Sequence, residues 1–446
     1  MTALQQTSVV QFNSIVLSAE YFPDGIELAN TVAEVEIQEK LFQPFLFGKL
    51  QFLDSMRVLE QFHGILGGEK LEIKLKRSES YGESTEINLN FRVVKAQAFK
   101  GADQFQSVEL EFISEHMFMS DVKNVNQYYS GKPSKIIEKI ASQYLDIEVD
   151  SDNSDRDEIN VIVPNLSPVE AIDWVRSAAV TDKGYPLICT YSPFYDKIII
   201  RDLGFILDPP AGNATPYVAS RVSGTTGSTQ ANHRGLRSYQ HIVSTGIQDL
   251  IHNGMVGSEY RYLQTNDTAA EYTWNIRKDF TEPAYENKIL GGNNKDDSMF
   301  ILNPFLEVDD ELIEYNIANY HYVFGGSNNY RSTDNVDFEL GYKERRTPAD
   351  YKLARTAEIL GRLIGMETLN FTINGVEYMQ GDDRPTSVGN YINIQFPRSA
   401  ETLEGGGSDI SKSGHYLMLG CRHVFKREGY DMIVQGGRMA RQEINV

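Results

Sequence analysis

The sequence predicts an α+β protein that is mainly β, and three observations carry that prediction. Strand-like alternation runs almost without break through residues 8 to 117. A helix-bearing stretch follows it, and strand patterns then resume to the end. Aromatics make up 11% of the 446 residues, with 24 Tyr and 22 Phe, a composition that favours β-rich structure and broad interfaces. Apolar residues at 41% and charged residues at 23% are ordinary for a globular chain able to bury real cores.

The first β block is organised around residues 32 to 75. Val32, Val35 and Ile37 form one run, and Phe47, Leu50, Phe52 and Leu53 a second. In a third, Leu71, Ile73 and Leu75 alternate with Glu72, Lys74 and Lys76. Such alternation sends one row to a core and the other to water. Gly48 marks a bulge or a close backbone approach. Asp54-Ser55 ends the second run, and Gly64, Gly67 and Gly68 punctuate the connection to the third. Strand patterns at 88 to 99 and 106 to 117 follow, joined at Gly101-Ala102-Asp103 as a hairpin.

The texture then changes. Residues 133 to 145 place Ile136, Ile137, Ile140 and Tyr144 on one helical face. Residues 167 to 182 open on Ser167, Pro168 and Glu170, the spacing of a capping box with proline in the first turn. Ile172, Val175 and Ala179 form the stripe of that helix, and Gly184 is expected to stop it. A hairpin at 186 to 203 completes an α+β insert. Residues 208 to 235 read as a linker or long loop. A further helix is expected at 348 to 365, capped by Thr347, with Leu353, Ala357, Leu360 and Ile364 inward. Strands at 369 to 373, 390 to 396, 415 to 426 and 430 to 439 close the chain.

The chemistry-bearing residue types form no catalytic or metal-binding motif, so the catalytic, cofactor and metal sites are each read as none. An EF-hand loop begun at Asp150 would need Gly at its sixth place and Glu at its twelfth, where Asp155 and Val161 stand; the acidic run 148 to 158 reads instead as a solvated loop. His63, His116, His233, His241, His252, His321, His415 and His423 lack helical zinc spacing, and no CxxC accompanies them. Neither a phosphate loop nor a nucleophile elbow is present. Glu311 with Glu314, or Asp296 with Asp297, could serve glycoside cleavage, but 62 acidic residues produce such pairs by chance. Cys189 and Cys421 read as free thiols of a reducing compartment. Asn213, Asn266 and Asn370 head Asn-x-Thr triplets without a secretory signal, and no run is apolar enough for a membrane helix. The formal charge of -20 argues against a nucleic-acid grip.

The order of the parts resembles a known family. LFGKLQFLDS, GEKLEIKL and VELEFISEHMF are followed by VPNLSPVEAIDWVRSAA and a closing hairpin, with a last strand pair through Val424 to Val434. In this order the chain resembles the central baseplate hub protein of contractile-tailed bacteriophages of the T-even type. More distantly, it is similar to the N-terminal half of type VI secretion spike proteins. The resemblance implies two tube-protein-like antiparallel β-barrel domains, at 1–117 and 207–446, with the insert 118–206 on the spike side. It implies a structural, non-enzymatic homotrimer in the virion baseplate, assembled in the host cytoplasm, in which an adjoining subunit meets the free strand edges of the 32–75 unit. That ring would adapt a six-fold tail tube to a three-fold central spike and let DNA pass during injection. A tube or tube-initiator protein would lie above, with tape-measure and baseplate wedge proteins as further neighbours. No cofactor is implied. Alternatives are a hub or spike part of a phage-derived injection or type VI-like system, and a carbohydrate-active tail enzyme. The long loops at 208–235, 284–298, 325–347 and 399–414 depart from the family pattern.

Overall fold

The structure, a computed structural model, describes residues 10–54, 64–77, 86–100, 106–156, 158–181, 185–193, 195–203, 206, 217–219, 235–242, 258–264, 271–275, 300–302, 319–325, 361, 364–365, 367–375, 386–397, 409, 412–427, 429–438 and 440–442. The first block forms β1 (Val10–Ala19), β2 (Phe22–Glu27), β3 (Val32–Lys40), β4 (Gln43–Asp54), β5 (Lys70–Arg77), β6 (Glu86–Lys100) and β7 (Gln106–Ser114). The insert holds helix α1 (Glu115–Asp121), β8 (Tyr128–Gly131), helix α2 (Pro133–Ile140), a π-helical turn (Ala141–Leu145), β9 (Glu148–Ser151), β10 (Ile159–Ile162), helix α3 (Pro168–Ala178), β11 (Leu187–Ser192) and β12 (Lys197–Asp202). Beyond it lie β13 (Tyr217–Val218), β14 (Ser238–Ile242), β15 (Ser258–Gln264), β16 (Glu271–Asn275), β17 (Phe300–Leu302), β18 (Asn319–Gly325), β19 (Glu367–Asn374), β20 (Tyr391–Gln395), β21 (Gly414–Lys426), β22 (Gly429–Arg438) and β23 (Ala440–Gln442).

One 13-stranded sheet dominates, in the order β14-β19-β22-β21-β3-β4-β7-β6-β5-β1-β2, with β20 beside β21 and β13 beside β20. Its middle joins the two ends of the chain. β21 pairs with β20 along its first half, from Gly414 to Leu417, and with β3 along its second, from Gly420 to Lys426. A register shift between Met418 and Gly420 marks the changeover, which is the bend a bulge provides.

This topology corrects the expectation of free edges on the opening unit. β3 lies between β21 and β4, β4 between β3 and β7, and β5 between β6 and β1. The edges of that unit are filled by the same chain. The alternation itself holds: Val35, Ile37, Leu50, Phe52, Leu71, Ile73 and Leu75 are buried. Gly48 is a close approach and not a bulge, since it stands in register between Ile37 and Phe112. The β6–β7 ladder runs to Lys100 opposite Gln106, as the hairpin reading requires. β7 is shorter than expected, because Glu115 to Asp121 coil into α1. Cys189 and Cys421 are free thiols, and both are buried.

In the insert, Ile136, Ile137 and Ile140 are fully buried, and Tyr144 packs against the core. Asp155 departs from the solvated-loop reading. It is buried, and its carboxylate accepts from the Ser134 backbone N–H and hydroxyl, both at 2.8 Å. It thereby satisfies an orphan donor at the start of α2, where Lys132 supplies no side-chain cap. The Ser167 capping box is complete, with the Ser167 hydroxyl facing the Glu170 N–H and the Glu170 carboxylate accepting from the Ser167 N–H at 3.0 Å. Ser167→Ala is expected to cost about 1 kcal/mol, read as a lower urea midpoint with an unchanged slope. α3 ends at Ala178, earlier than the expected stop at Gly184. Ala179 is already extended, and the next two residues bond elsewhere, with the Val180 carbonyl accepting from Arg156 and the Thr181 N–H donating to Tyr185. The expected helix at 348 to 365 lies almost wholly outside the described residues, which include Gly361, Ile364 and Gly365 of it.

Candidate functional site

Strand phase places one charged residue on the inward side of β3. Val35, Ile37 and Glu39 share the buried row, while Glu34, Glu36 and Gln38 face outward. On β21, Cys421 and His423 occupy the matching inward row, and Tyr430 does so on β22. These residues converge where the two ends of the chain meet. Glu39 is 3% exposed and His423 0%. The Glu39 carboxylate lies 2.8 Å from His423 Nε2 and accepts from the Ser387 N–H at 3.0 Å and the Ser387 hydroxyl at 3.2 Å. The Val388 N–H completes the set at 3.5 Å. His423 Nδ1 lies 2.6 Å from the Tyr430 hydroxyl.

Burial alone would raise the Glu39 pKa. The His423 contact and the two backbone N–H groups outweigh it and hold the carboxyl below its usual range. The arrangement is satisfied with Nε2–H donating to an ionised Glu39 and the Tyr430 O–H donating to Nδ1. A serine, a histidine and an acid in contact invite a nucleophilic reading, and the geometry rejects it. Ser387 and Glu39 crowd the same ring nitrogen, whereas a charge-oriented nucleophile needs the acid on the opposite one. Ser387, Glu39 and His423 are also all buried. The cluster is therefore a polar staple across the β3–β21 seam.

A second polar staple holds the far end of the sheet. Arg438 donates through Nε to Glu367 at 2.9 Å, and its second nitrogen Nη2 meets the same oxygen. His241 Nε2 lies 2.8 Å from that carboxylate, and the Tyr416 ring lies beneath the guanidinium at 4.7 Å. This cluster ties β14, β19, β21 and β22 together.

The outward face of β21-β3-β4-β7-β6 is a lattice of alternating charge. Lys426 meets Glu34 at 3.2 Å, Arg422 meets Glu36 at 3.3 Å, and Lys49 bridges Glu109 and Glu111 at 3.1 and 3.2 Å. Lys95 reaches Glu111 at 3.6 Å. Exposed pairs of this kind contribute little stability, but they fix which strands lie side by side. At one end of the lattice Leu53 and Phe99 flank Ser107 in a single cross-strand row, both half exposed. Tyr21, Tyr128, Tyr195 and Tyr239 are the exposed tyrosines of the described surface.

Among the described residues, two terminal strands of the sheet differ. β2 carries Pro23, Asp24 and Gly25, which blunt an edge. β14 carries Ser-Tyr-Gln-His-Ile with no such device.

Among the described residues no group of three acidic, histidine or cysteine side chains could hold a metal, and no helix is long and apolar enough to cross a membrane. Of the eight histidines, His63, His233 and His252 lie outside the described residues, as do Glu311, Glu314, Asp296 and Asp297. The inward phase of Glu39 is the sequence signal that would have found the seam staple.

No protein-family model matches the chain, and no curated protein matches it in sequence. Solved structures do. A tail protein from Neisseria meningitidis MC58 is similar at 10% identity, covering 96% of this chain and 96% of its own, with a TM-score of 0.52. The 43 kDa tail protein of prophage MuSo2 from Shewanella oneidensis is similar at 10% identity, covering 96% and 98%, with a TM-score of 0.51. Along nearly its whole length, this chain has the fold of these tail proteins.

Proposed function

We propose that the protein is a structural component of a phage tail, the hub of its baseplate, and not an enzyme. The observation that carries this reading is the end-to-end fold likeness to two tail proteins, each covered over nearly its full length. The seam supports it physically. A chain in which β3, near its start, pairs with β21, near its end, presents one continuous sheet, which suits a part that transmits load between rings. In this reading three copies form a ring, with domains at 1–117, 118–206 and 207–446 as the sequence divides them. The ring joins a tail tube above to a central spike below, and DNA passes through it.

The outward face of β21-β3-β4-β7-β6 is close to charge-balanced, with Glu34, Glu36, Glu109 and Glu111 offset by Lys49, Lys95, Arg422 and Lys426. Mass determination in solution tests the reading. Three copies of the 50.4 kDa chain are expected in one particle, alone or with the spike protein added. A particle that stays monomeric with the spike present would overturn it.

A further inference from the structure

His116 lies on α1, directly after the strand that carries the first β block into the insert. Both of its ring nitrogens face acceptors. Nδ1 is 3.0 Å from the Leu145 carbonyl, and Nε2 is 3.3 Å from the Asp196 carboxylate. Only the doubly protonated ring can donate to both. The two acceptors come from different pieces of the insert, the π-helical turn and the β11–β12 turn.

Each acceptor also lies at or beside a left-handed backbone position, which aspartate tolerates. Asp196 has φ 50° and Asp146, which follows Leu145, has φ 53°. An aspartate adopts this conformation when its surroundings hydrogen-bond its side chain. For Asp196 those surroundings are His116 and the Tyr191 hydroxyl, which donates to it at 2.6 Å.

The geometry points to a protonation-gated latch, in which the His116 imidazolium locks the π-helical turn and the β11–β12 turn of the insert onto α1, and the neutral ring releases one of them. This inference rests on the geometry alone and is independent of the tail assignment.

The groups around His116 support it from every side. Glu115, its neighbour, is held by Arg92, which donates to it at 3.0 Å through Nε and at 2.5 Å through Nη2, and to the Gly68 carbonyl at 3.0 Å. α1 is thus fixed to the first β block while His116 reaches into the insert. The Phe45 ring of β4 covers the imidazole at 6.1 Å and packs on Tyr191 at 5.8 Å. Burial pushes the Tyr191 hydroxyl well above its usual pKa, so it stays a donor. Lys197 is engaged by Glu148 at 2.6 Å and does not compete.

The pH signs follow. Burial opposes the charged imidazole, but Asp196, the Leu145 carbonyl and Glu115 outweigh it and raise the His116 pKa above 6.5. Its contribution is complete below that value and is lost as pH rises through the folded pKa. The His116 contact lowers the Asp196 pKa below 3.8, against the effect of burial. The contribution of Asp196 is present above that value and is lost as pH falls through its folded pKa. The latch therefore holds in mildly acid solution and loosens towards alkaline pH.

The test is NMR titration of the His116 ring, with amide hydrogen exchange across 141–147 and 187–202, corrected for intrinsic rates. In the wild type, protection of these amides is expected to fall by about an order of magnitude as His116 loses its proton, while β1 and β5 amides hold. Asp196→Asn keeps a residue that tolerates left-handed backbone but removes the charge. It is expected to lower the His116 midpoint and flatten the pH profile. His116→Gln is expected to abolish the profile. Protection that stays flat while wild-type His116 titrates would overturn the latch, and so would an unchanged His116 midpoint in Asp196→Asn. The wild-type measurement decides even where a variant fails to fold.

Discussion

Glu39→Ala is expected to destabilise the protein by about 3 kcal/mol or more, because each buried donor left without its acceptor costs about 1–3 kcal/mol. The carboxylate is the hub of four donors, two from Ser387, one from Val388 and one from His423. Its loss leaves the Ser387 and Val388 N–H groups without this acceptor in a buried seam, and an unsatisfied buried donor costs the full desolvation of that group. Glu39→Gln retains the shape and one acceptor oxygen, and it should cost less than the alanine change. Urea unfolding at neutral pH compares the two, and an alanine variant within 1 kcal/mol of wild type would refute the role assigned to the seam.

The pH dependence supplies an internal control. The Glu39 pKa is depressed below 4.5, so its stabilisation is present above that value and is lost as pH falls through the folded pKa. The stability gap between wild type and Glu39→Gln should therefore shrink in acid. The disruption is expected to be felt at both ends of the chain, because β3 belongs to the first block and β21 to the last.

What the sequence disclosed about this fold was local. Alternation in β3, β4 and β5, the Ser167 box and the glycines of the 64–68 connection need only near neighbours, and each stands as read. Gly64, Gly67 and Gly68 all adopt positive φ, which side-chain-bearing residues avoid. The pairing of β3 with β21 was not legible, because nothing within β3 encodes a partner nearly four hundred residues away. Expecting another subunit at that edge was the natural consequence. The staple was half legible: an acid in phase with Val35 and Ile37 announces a buried partner, but the identity of His423 as that partner depends on the same distant pairing. His116 carries no sequence signal, since its acceptors are a backbone carbonyl and a turn aspartate from two other elements.

Gly48→Ala is expected to cost about 3 kcal/mol, the upper part of the range for overpacking a filled core. An added Cβ would stand 2.3 Å from Cε2 of Phe112 and 2.4 Å from the Glu36 carbonyl oxygen. The two obstructions differ in kind. The Phe112 ring packs against Phe91 at a centroid distance of 4.5 Å, so turning it aside disturbs a second aromatic. The Glu36 carbonyl is backbone within the β3–β4 ladder and moves only if the strand moves. Combining Gly48→Ala with Phe112→Leu separates them. If the ring were the sole obstacle, the double variant would be no less stable than Phe112→Leu alone; with the carbonyl in place, a further loss is expected on that background. Urea midpoints for the four proteins of this cycle measure the coupling directly, and a Gly48→Ala cost under 0.5 kcal/mol would show that the strand can yield. Because β3 carries Glu39 towards β21 on its next inward position past Ile37, the partner of Gly48, any shift that relieves the clash pulls on the seam staple. The effect of this one methyl group is therefore expected to reach His423 and to appear in its ring resonances.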